Sequence, residues 1–267
     1  MIIFKFFFKI ISFLAKKLGY LVTIKKIKYN INYEIVDKNS WTPYLNFKNN
    51  KKLKLYFDTI YKSNSSHSDS FYKQLRFYSL FNIVENILKR DNYENFAECG
   101  CWKGHSSLGI LNIMEQYSFK KKIFIFDSFE GGLSEKNDKD INLKRYIQNN
   151  KEIINQKNYF KSNYVDVVKL LENFNHAIIE KGWIPEVFEV AKDKKFSFVH
   201  IDVDLYQPTY DAINFFFNRL EKGGVIICDD YNCSDFPGAK LAIDKYLKNI
   251  KVNLFYEIPL GGCIIIK

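Results

Sequence analysis

The sequence predicts an α/β fold with a mainly parallel sheet, and three observations carry that prediction. From about residue 70 onward, short apolar runs recur, each bounded by glycine or acidic residues: Phe96–Cys99, Ile123–Phe126, Ala177–Ile179, Phe196–Ile201 and Val225–Cys228. Stretches with apolar residues every three or four positions lie between them, notably Ser107–Gln116, Ser162–Phe174, Thr209–Glu221 and Ala239–Lys248. Strands buried on both faces by helices show this rhythm. The chain then closes with two apolar runs, Val252–Ile258 and Cys263–Lys267, across a Pro-Leu-Gly-Gly turn, which predicts an antiparallel terminal hairpin.

Ahead of the first strand, Phe71–Arg90 repeats apolar residues at helical spacing (Leu75, Tyr78, Leu80, Phe81, Val84, Ile87, Leu88) and reads as an amphipathic helix. The 267 residues fit one large domain with an appendage, and 47% hydrophobic with 26% charged residues excludes global disorder. Five cysteines are too few for a disulfide scaffold, and none has a partner at zinc-ligand spacing, so reduced thiols are expected.

The net charge of +10 is unevenly placed. Residues 1–62 hold 13 lysines against Glu34, Asp37 and Asp58 and so account for all of it, whereas residues 63–267 are balanced. The division is therefore a basic appendage (1–62) followed by an α/β domain (63–267). On a helix, Lys5, Lys9, Ser12 and Lys16 form a narrow stripe and the rest of residues 2–17 is mostly Phe, Ile and Leu. The longest uncharged run there is six residues, Ile10 to Ala15, far short of the ~20 that span a bilayer. Its apolar face has three candidate partners: an anionic membrane interface, the chain's own domain or a second subunit, and, least favoured, the path of a cleaved signal. Nucleic acid is not expected, because a Phe-rich helix tracks phosphates poorly. The localisation that follows is cytoplasmic, with peripheral contact at the inner membrane face. Residues 36–70 read as a connector.

In parallel sheets the ligand sits beyond the carboxyl ends of the strands. The first strand runs into Glu98-Cys-Gly100-Cys-Trp-Lys-Gly104-His-Ser106-Ser107, a glycine turn leading to a helix N-terminus. Gly100 and Gly104 permit tight turning and close ligand approach. The second strand ends in Asp127-Ser128-Phe-Glu, where a carboxylate suits ribose hydroxyls. Together these ends suggest a nucleoside-containing cofactor. A glycine fingerprint for a nicotinamide dinucleotide is missing. Two later strand ends carry four carboxylates, Asp202 and Asp204 in His200-Ile-Asp-Val-Asp-Leu-Tyr206, and Asp229 and Asp230 in Cys228-Asp-Asp-Tyr231. Lys222 and Arg219 are the nearest cations in sequence and sit at the far end of a helix, so a hard divalent cation is the better counter-charge: Mg²⁺ first, with Mn²⁺ or Ca²⁺ as alternatives.

Six motifs in one order give a resemblance: Glu-Cys-Gly-x-Trp-x-Gly-x-Ser (98–106), Phe-Asp-Ser-Phe-Glu-Gly (126–131), Lys-Gly-Trp (181–183), His-Ile-Asp-x-Asp-Leu-Tyr (200–206), Gly-Gly-x-Ile-x-x-Asp-Asp-Tyr (223–231) and Pro-Gly-Ala-Lys (237–240). From about residue 71 to 267 the chain resembles the macrocin O-methyltransferase (TylF/MycF-like) family of S-adenosylmethionine-dependent sugar O-methyltransferases. The resemblance implies a Rossmann-like class I methyltransferase sheet, S-adenosylmethionine as cofactor, and Mg²⁺ beside the substrate. It places Glu98, Gly100 and Ser106 at the methionine end of the cofactor, with Gly104 in the same turn. Asp127 with Ser128 falls at the ribose, Gly182 and Trp183 at the adenine, and Asp202, Asp229 and Asp230 on the metal.

Asp202 or Asp204 would take the proton of a sugar hydroxyl made more acidic by the ion, and the oxygen would attack the sulfonium methyl in line. The implied acceptor is a small-molecule or lipid-linked sugar, of a surface glycan or a glycosylated natural product. A catechol-type diol is the nearest alternative, and a non-catalytic, membrane-docked scaffold the more distant one. His105 in the turn is a functional candidate, His200 is expected to make a structural hydrogen bond, Tyr206 and Tyr231 either stack on a sugar or pack, and residues 131–161 form a long connection suited to a lid.

Overall fold

A computed structural model describes residues 50–130, 133–134, 137–140, 160–233, 235–258 and 261–267. Residues 2–17 and most of the long connection at 131–161 lie outside the described residues.

Three helices cover one side of the sheet from its N-terminal half: α1 (Lys51–Lys62), α2 (Phe71–Leu88) and α3 (His105–Gln116). The remaining described order is β1 (Asn95–Cys99) before α3, then β2 (Ile123–Asp127), α4 (Tyr164–Leu171), β3 (Ala177–Lys181), β4 (Phe196–Ile201), α5 (Tyr206–Arg219), β5 (Leu220–Cys228), α6 (Pro237–Leu247), β6 (Leu254–Glu257) and β7 (Cys263–Ile266). The sheet order is β3-β2-β1-β4-β5-β7-β6, parallel through β5, with β7 antiparallel to both its neighbours. The α/β expectation and the terminal hairpin both hold. The chain moves outward from β1 to β3, then returns to the other side of β1 to lay down β4. The exits of β1 and β4 therefore flank the point where strand order reverses, which is where ligands enter such sheets.

Strand alternation sorts the core into two layers. Phe96, Phe198, Val225 and Ile227 face α1, α2 and α3, whereas Ala97, Cys99, Val199, Ile201, Ile226 and Cys228 face α5 and α6. On β4 the register slips between Phe196 and Phe198, and Phe196 joins the α5 layer with Val199. Such a slip is a bulge, and it sets which side chains beyond it point to which layer.

Residues 51–62, which the charge pattern groups with the basic appendage and connector, form a capped helix of this core. Asn50 Oδ1 accepts the backbone N–H of Lys52 and Leu53, and Leu53 and Tyr56 are wholly buried. Lys51, Lys54 and Lys62 of α1 are exposed and Lys52 pairs with Glu85 on α2, so a composition count could not separate this helix from what precedes it. No helix among the described residues is long and apolar enough to cross a membrane.

Candidate active site

The site is built from strand exits that share a face. Glu98 on β1 stands directly opposite His200 on β4, and both follow the alternation that points Phe96 and Phe198 toward α2 and α3. His200 Nδ1 donates to Glu98 Oε1 at 2.9 Å, and Ser107 Oγ at the start of α3 donates to Glu98 Oε2. Glu98 is fully buried, and both its carboxylate oxygens are engaged by protein partners. Its place in the alternation turns it inward, onto a serine and a histidine.

The same alternation carries Asp202 and Asp229 to the α2 side. Arg76 on α2 reaches Asp229: its Nη1 lies 3.1 Å from Asp229 Oδ2 and donates to the Asp229 carbonyl at 3.3 Å. His200 Nε2 is 3.9 Å from Asp229 Oδ1, an ion-pair distance rather than a hydrogen bond. Burial works against the Asp229 carboxylate, but Arg76 and His200 hold it down at about 2. Burial also works against charged His200, yet the Asp229 and Glu98 carboxylates push it up to about 10. Asp202 has no direct cationic partner of that kind among the described residues, and burial together with Asp229 pushes it up to about 6. Asp230 is also pushed well up, by burial and then by Asp204, Asp202 and Asp229. Lys73, one turn before Arg76, is brought down to about 8 by burial, with Asp202 opposing.

The carboxylates are thus not without cations, as their sequence neighbourhood suggested. Arg76 and Lys73 come from 153 and 129 residues before Asp229 and Asp202. They are the only charged residues in the first two turns of α2, spaced i, i+3 on one face, and that pattern was the available signal. Even so, five acidic side chains (Glu98, Asp202, Asp204, Asp229, Asp230) meet three cations. Ligand atoms of His200, Asp202 and Asp229 come within 4.8 Å of one another. Fully ionised, this set would carry excess negative charge, and Asp202 and Asp230, whose carboxyls are pushed up without a counter-ion, are the groups that a hard divalent cation would stabilise. Asp230 turns one oxygen elsewhere: Oδ2 accepts the backbone N–H of Asp204 at 2.8 Å. Asp204 is buried, with a left-handed φ of 60°.

The other half of the crevice is neutral in construction. Asp127 Oδ2 accepts the N–H groups of Cys101 (3.0 Å) and Trp102 (2.8 Å), and Oδ1 accepts Phe129 N–H at 2.9 Å. Burial raises this carboxyl while those three donors oppose the rise. Its carbonyl accepts Gly182 N–H at 3.0 Å, and Trp183 Nε1 donates to Glu130 Oε2 at 3.2 Å. Asp127, Ser128, Gly182 and Trp183 are therefore brought to one place, with Trp183 40% exposed.

Gly100 has φ 83°, and a Cβ on it would sit 1.9 Å from the Asp202 carbonyl oxygen. The residue is required by the neighbouring chain, which presses the cofactor turn directly against the acidic cluster. Gly104 (φ 77°) ends that turn, and Ser106 behind it is buried. His105 is a core residue instead of a site residue. It stacks on Phe77 (ring centres 4.1 Å apart), donates from Nε2 to the Tyr56 carbonyl, and is brought down to about 2 by burial, hence neutral. Tyr206 and Tyr231 pack: both are buried, and Tyr231 Oη donates to Asp244.

The sheet thus carries a glycine turn after β1, an aspartate at the end of β2 that holds the neighbouring loop backbone, and clustered aspartates after β4 and β5. The macrocin-O-methyltransferase (TylF) family model matches residues 62–258, and the chain belongs to that family. It is an S-adenosylmethionine-dependent O-methyltransferase. It is 22% identical over 219 residues to demethyldecarbamoylnovobiocin O-methyltransferase of Streptomyces niveus, covering 72% of this chain and 80% of that protein. It is 25% identical over 156 residues to the 8-demethyl-8-(2,3-dimethoxy-alpha-L-rhamnosyl)-tetracenomycin-C 4'-O-methyltransferase of Streptomyces olivaceus, covering 55% and 57%. Among solved structures, the O-methyltransferase NovP shares its fold with a TM-score of 0.61 at 19% identity, over 72% of this chain and 79% of that one.

Proposed function

We propose that this enzyme methylates a sugar hydroxyl with Mg²⁺ held by Asp202, Asp229 and Asp230. The observation that carries the reading is the abutment of two parts: the β1 glycine turn packs on the Asp202 backbone, so a methyl donor in that turn adjoins the acidic cluster. The rhamnosyl substrate named for the Streptomyces olivaceus relative supports a sugar as acceptor.

In this reading Asp127 and Ser128 meet the ribose, Gly182 and Trp183 the adenine, and Gly100, Gly104 and Ser106 the methionine end, with Glu98 acting from behind through Ser107. Asp202 shares a cluster with Asp229 and is assigned as a ligand. Asp204, set apart on the following turn, takes the hydroxyl proton. Bound Mg²⁺ supplies Lewis acidity toward the acceptor oxygen. Arg76 holds the Asp229 carboxylate in place and ionised.

The acceptor best matched to the whole chain is a sugar of a surface glycan on a lipid carrier. The Lys5, Lys9 and Lys16 stripe on an otherwise apolar segment suits peripheral contact with an anionic inner membrane face.

The test is methyl transfer from labelled S-adenosylmethionine to TDP-rhamnose, free rhamnose, a lipid-linked rhamnose and catechol, each with and without EDTA. Transfer to a sugar, lost in EDTA and restored by Mg²⁺, is expected. Transfer to catechol alone overturns the sugar assignment, and full activity in saturating EDTA overturns the metal. Equal sedimentation with anionic liposomes of the full chain and a chain lacking residues 1–45 overturns the membrane contact.

A further inference from the structure

Helix α5 begins two residues after Asp204 and has no side-chain cap of its own. Its N-cap residue is Leu205, which has no side-chain acceptor, and Pro208 in its first turn has no N–H. The Tyr206 N–H would be left as a buried orphan. It is satisfied from 66 residues upstream: Asp140 Oδ1 accepts it at 2.6 Å.

Asp140 is itself built for that contact. It is 3% exposed, its Oδ2 accepts Asn137 N–H at 3.0 Å, and its own N–H donates to the Asn137 carbonyl at 3.0 Å. Asn137 Oδ1 accepts Lys139 N–H at 2.9 Å, closing a tight turn, and Lys139 Nζ lies 3.7 Å from the centre of the Tyr206 ring. The start of α6 leaves room for it. A Cβ on Gly238 would fall 1.9 Å from Asp140 Oδ1 and 2.8 Å from Tyr206 N, so the glycine of Pro-Gly-Ala-Lys is a slot for this carboxylate.

The turn that carries Asp204 is consequently gripped at both ends by carboxylates from other parts of the chain. Asp230 holds the Asp204 N–H, and Asp140 holds the Tyr206 N–H. Between them, Asp204 keeps a left-handed backbone, which is uncommon for a non-glycine residue although aspartate tolerates it better than most. We propose that Asp140 is a positioning residue for the reaction, capping α5 in trans and thereby fixing the turn on which Asp204 stands. The inference rests on the assignment of Asp204 to the acceptor proton.

The experiment uses the full chain and its Asp140→Ala, Asp140→Asn and Gly238→Ala variants. By amide hydrogen exchange, the Tyr206 N–H of Asp140→Ala should exchange about tenfold or more faster than in the parent, while Asp140→Asn, which keeps an acceptor oxygen, stays near it. With whichever sugar the parent methylates, kcat of Asp140→Ala should fall about 30- to 100-fold, KM and S-adenosylmethionine affinity staying within about twofold. Asp140→Asn should recover most of kcat. Gly238→Ala should reproduce the loss with Asp140 intact, because the new Cβ displaces its carboxylate. Unchanged exchange at Tyr206 overturns the proposal. So does parental kcat in Asp140→Ala, or a kcat loss matched by an equal loss of cofactor affinity. If the parent methylates no sugar in the panel, the acceptor reading fails by itself, and the exchange measurement still decides whether Asp140 holds the turn.

Discussion

Two aspartates at strand ends, half-buried Asp127 closing β2 and buried Asp229 after β5, are kept in opposite ways. Asp127 has three backbone N–H donors and, among the described residues, no ion-pair partner, whereas Asp229 has a guanidinium at 3.1 Å and an imidazole at 3.9 Å. The first arrangement is local: its donors all lie within two loops, and it shapes the turn that receives a cofactor. The second draws on α2, β4 and β5 and leaves the group fully charged. One half of the crevice is organised by geometry, and the other by charge.

Breaking the charge-organised half should cost the most. Arg76→Met strands the buried Asp229 carboxylate, and loss of one partner of such a pair destabilises by about 3–5 kcal/mol. The pH dependence has a definite sign. Asp229 is held at about 2, below its unfolded value, so it contributes stability above the unfolded pKa that is lost as pH falls toward 2. Urea unfolding between pH 2 and 7 should show that acid-side slope in the parent and a weaker one in Arg76→Met.

Breaking the geometric half costs less in stability and more in cofactor binding. Asp127→Ala leaves Cys101, Trp102 and Phe129 N–H groups without their acceptor, at about 1–3 kcal/mol. Calorimetry should show S-adenosylmethionine affinity down at least tenfold, with the urea midpoint falling less than in Arg76→Met.

Asp202→Asn sharpens the comparison because its stability effect runs the other way. Asp202 is pushed up to about 6, so ionising it as pH rises through about 4–6 works against the fold. The amide variant should be more stable than the parent at pH 8, by about 1–2 kcal/mol after discounting for its partial exposure, and equal at pH 4. Its methyl transfer should be abolished. A parent-like midpoint at pH 8 would show that Asp202 is already neutralised by a partner.

The smallest effect belongs to His105→Leu. A neutral ring packed among Tyr56 and Phe77 can be replaced by an aliphatic chain for less than about 1.5 kcal/mol, with kcat and cofactor affinity essentially unchanged.

The sequence disclosed what is periodic or contiguous. The apolar runs, the helical spacing between them and the closing hairpin all reappear as strands and helices, because each is encoded by residues next to one another. The acidic strand ends were legible for the same reason. Hidden were contacts between distant stretches: Arg76 and Lys73 on the carboxylates, Glu98 turned inward to His200 and Ser107, and Asp140 on the N-terminus of α5. Periodicity assigns a residue to a face, but only the strand order says which residues another element brings to that face. His105 shows the converse, since a polar residue in a ligand-binding turn was drawn into the core by the aromatic side chains of α1 and α2.

Helix α1 has a practical consequence for dissecting the chain. The family match begins at residue 62, yet Leu53, Tyr56 and Ile60 are buried, Tyr56 Oη donates to Asp69, and its carbonyl receives His105. A cut at residue 62 would strip the hydrophobic underside of α2 and α3, and what remained would aggregate or stick to lipid for reasons unrelated to the lysines upstream. The basic leader must be severed ahead of Asn50, the residue that caps the helix, if its membrane affinity is to be weighed apart from the enzyme's own folding.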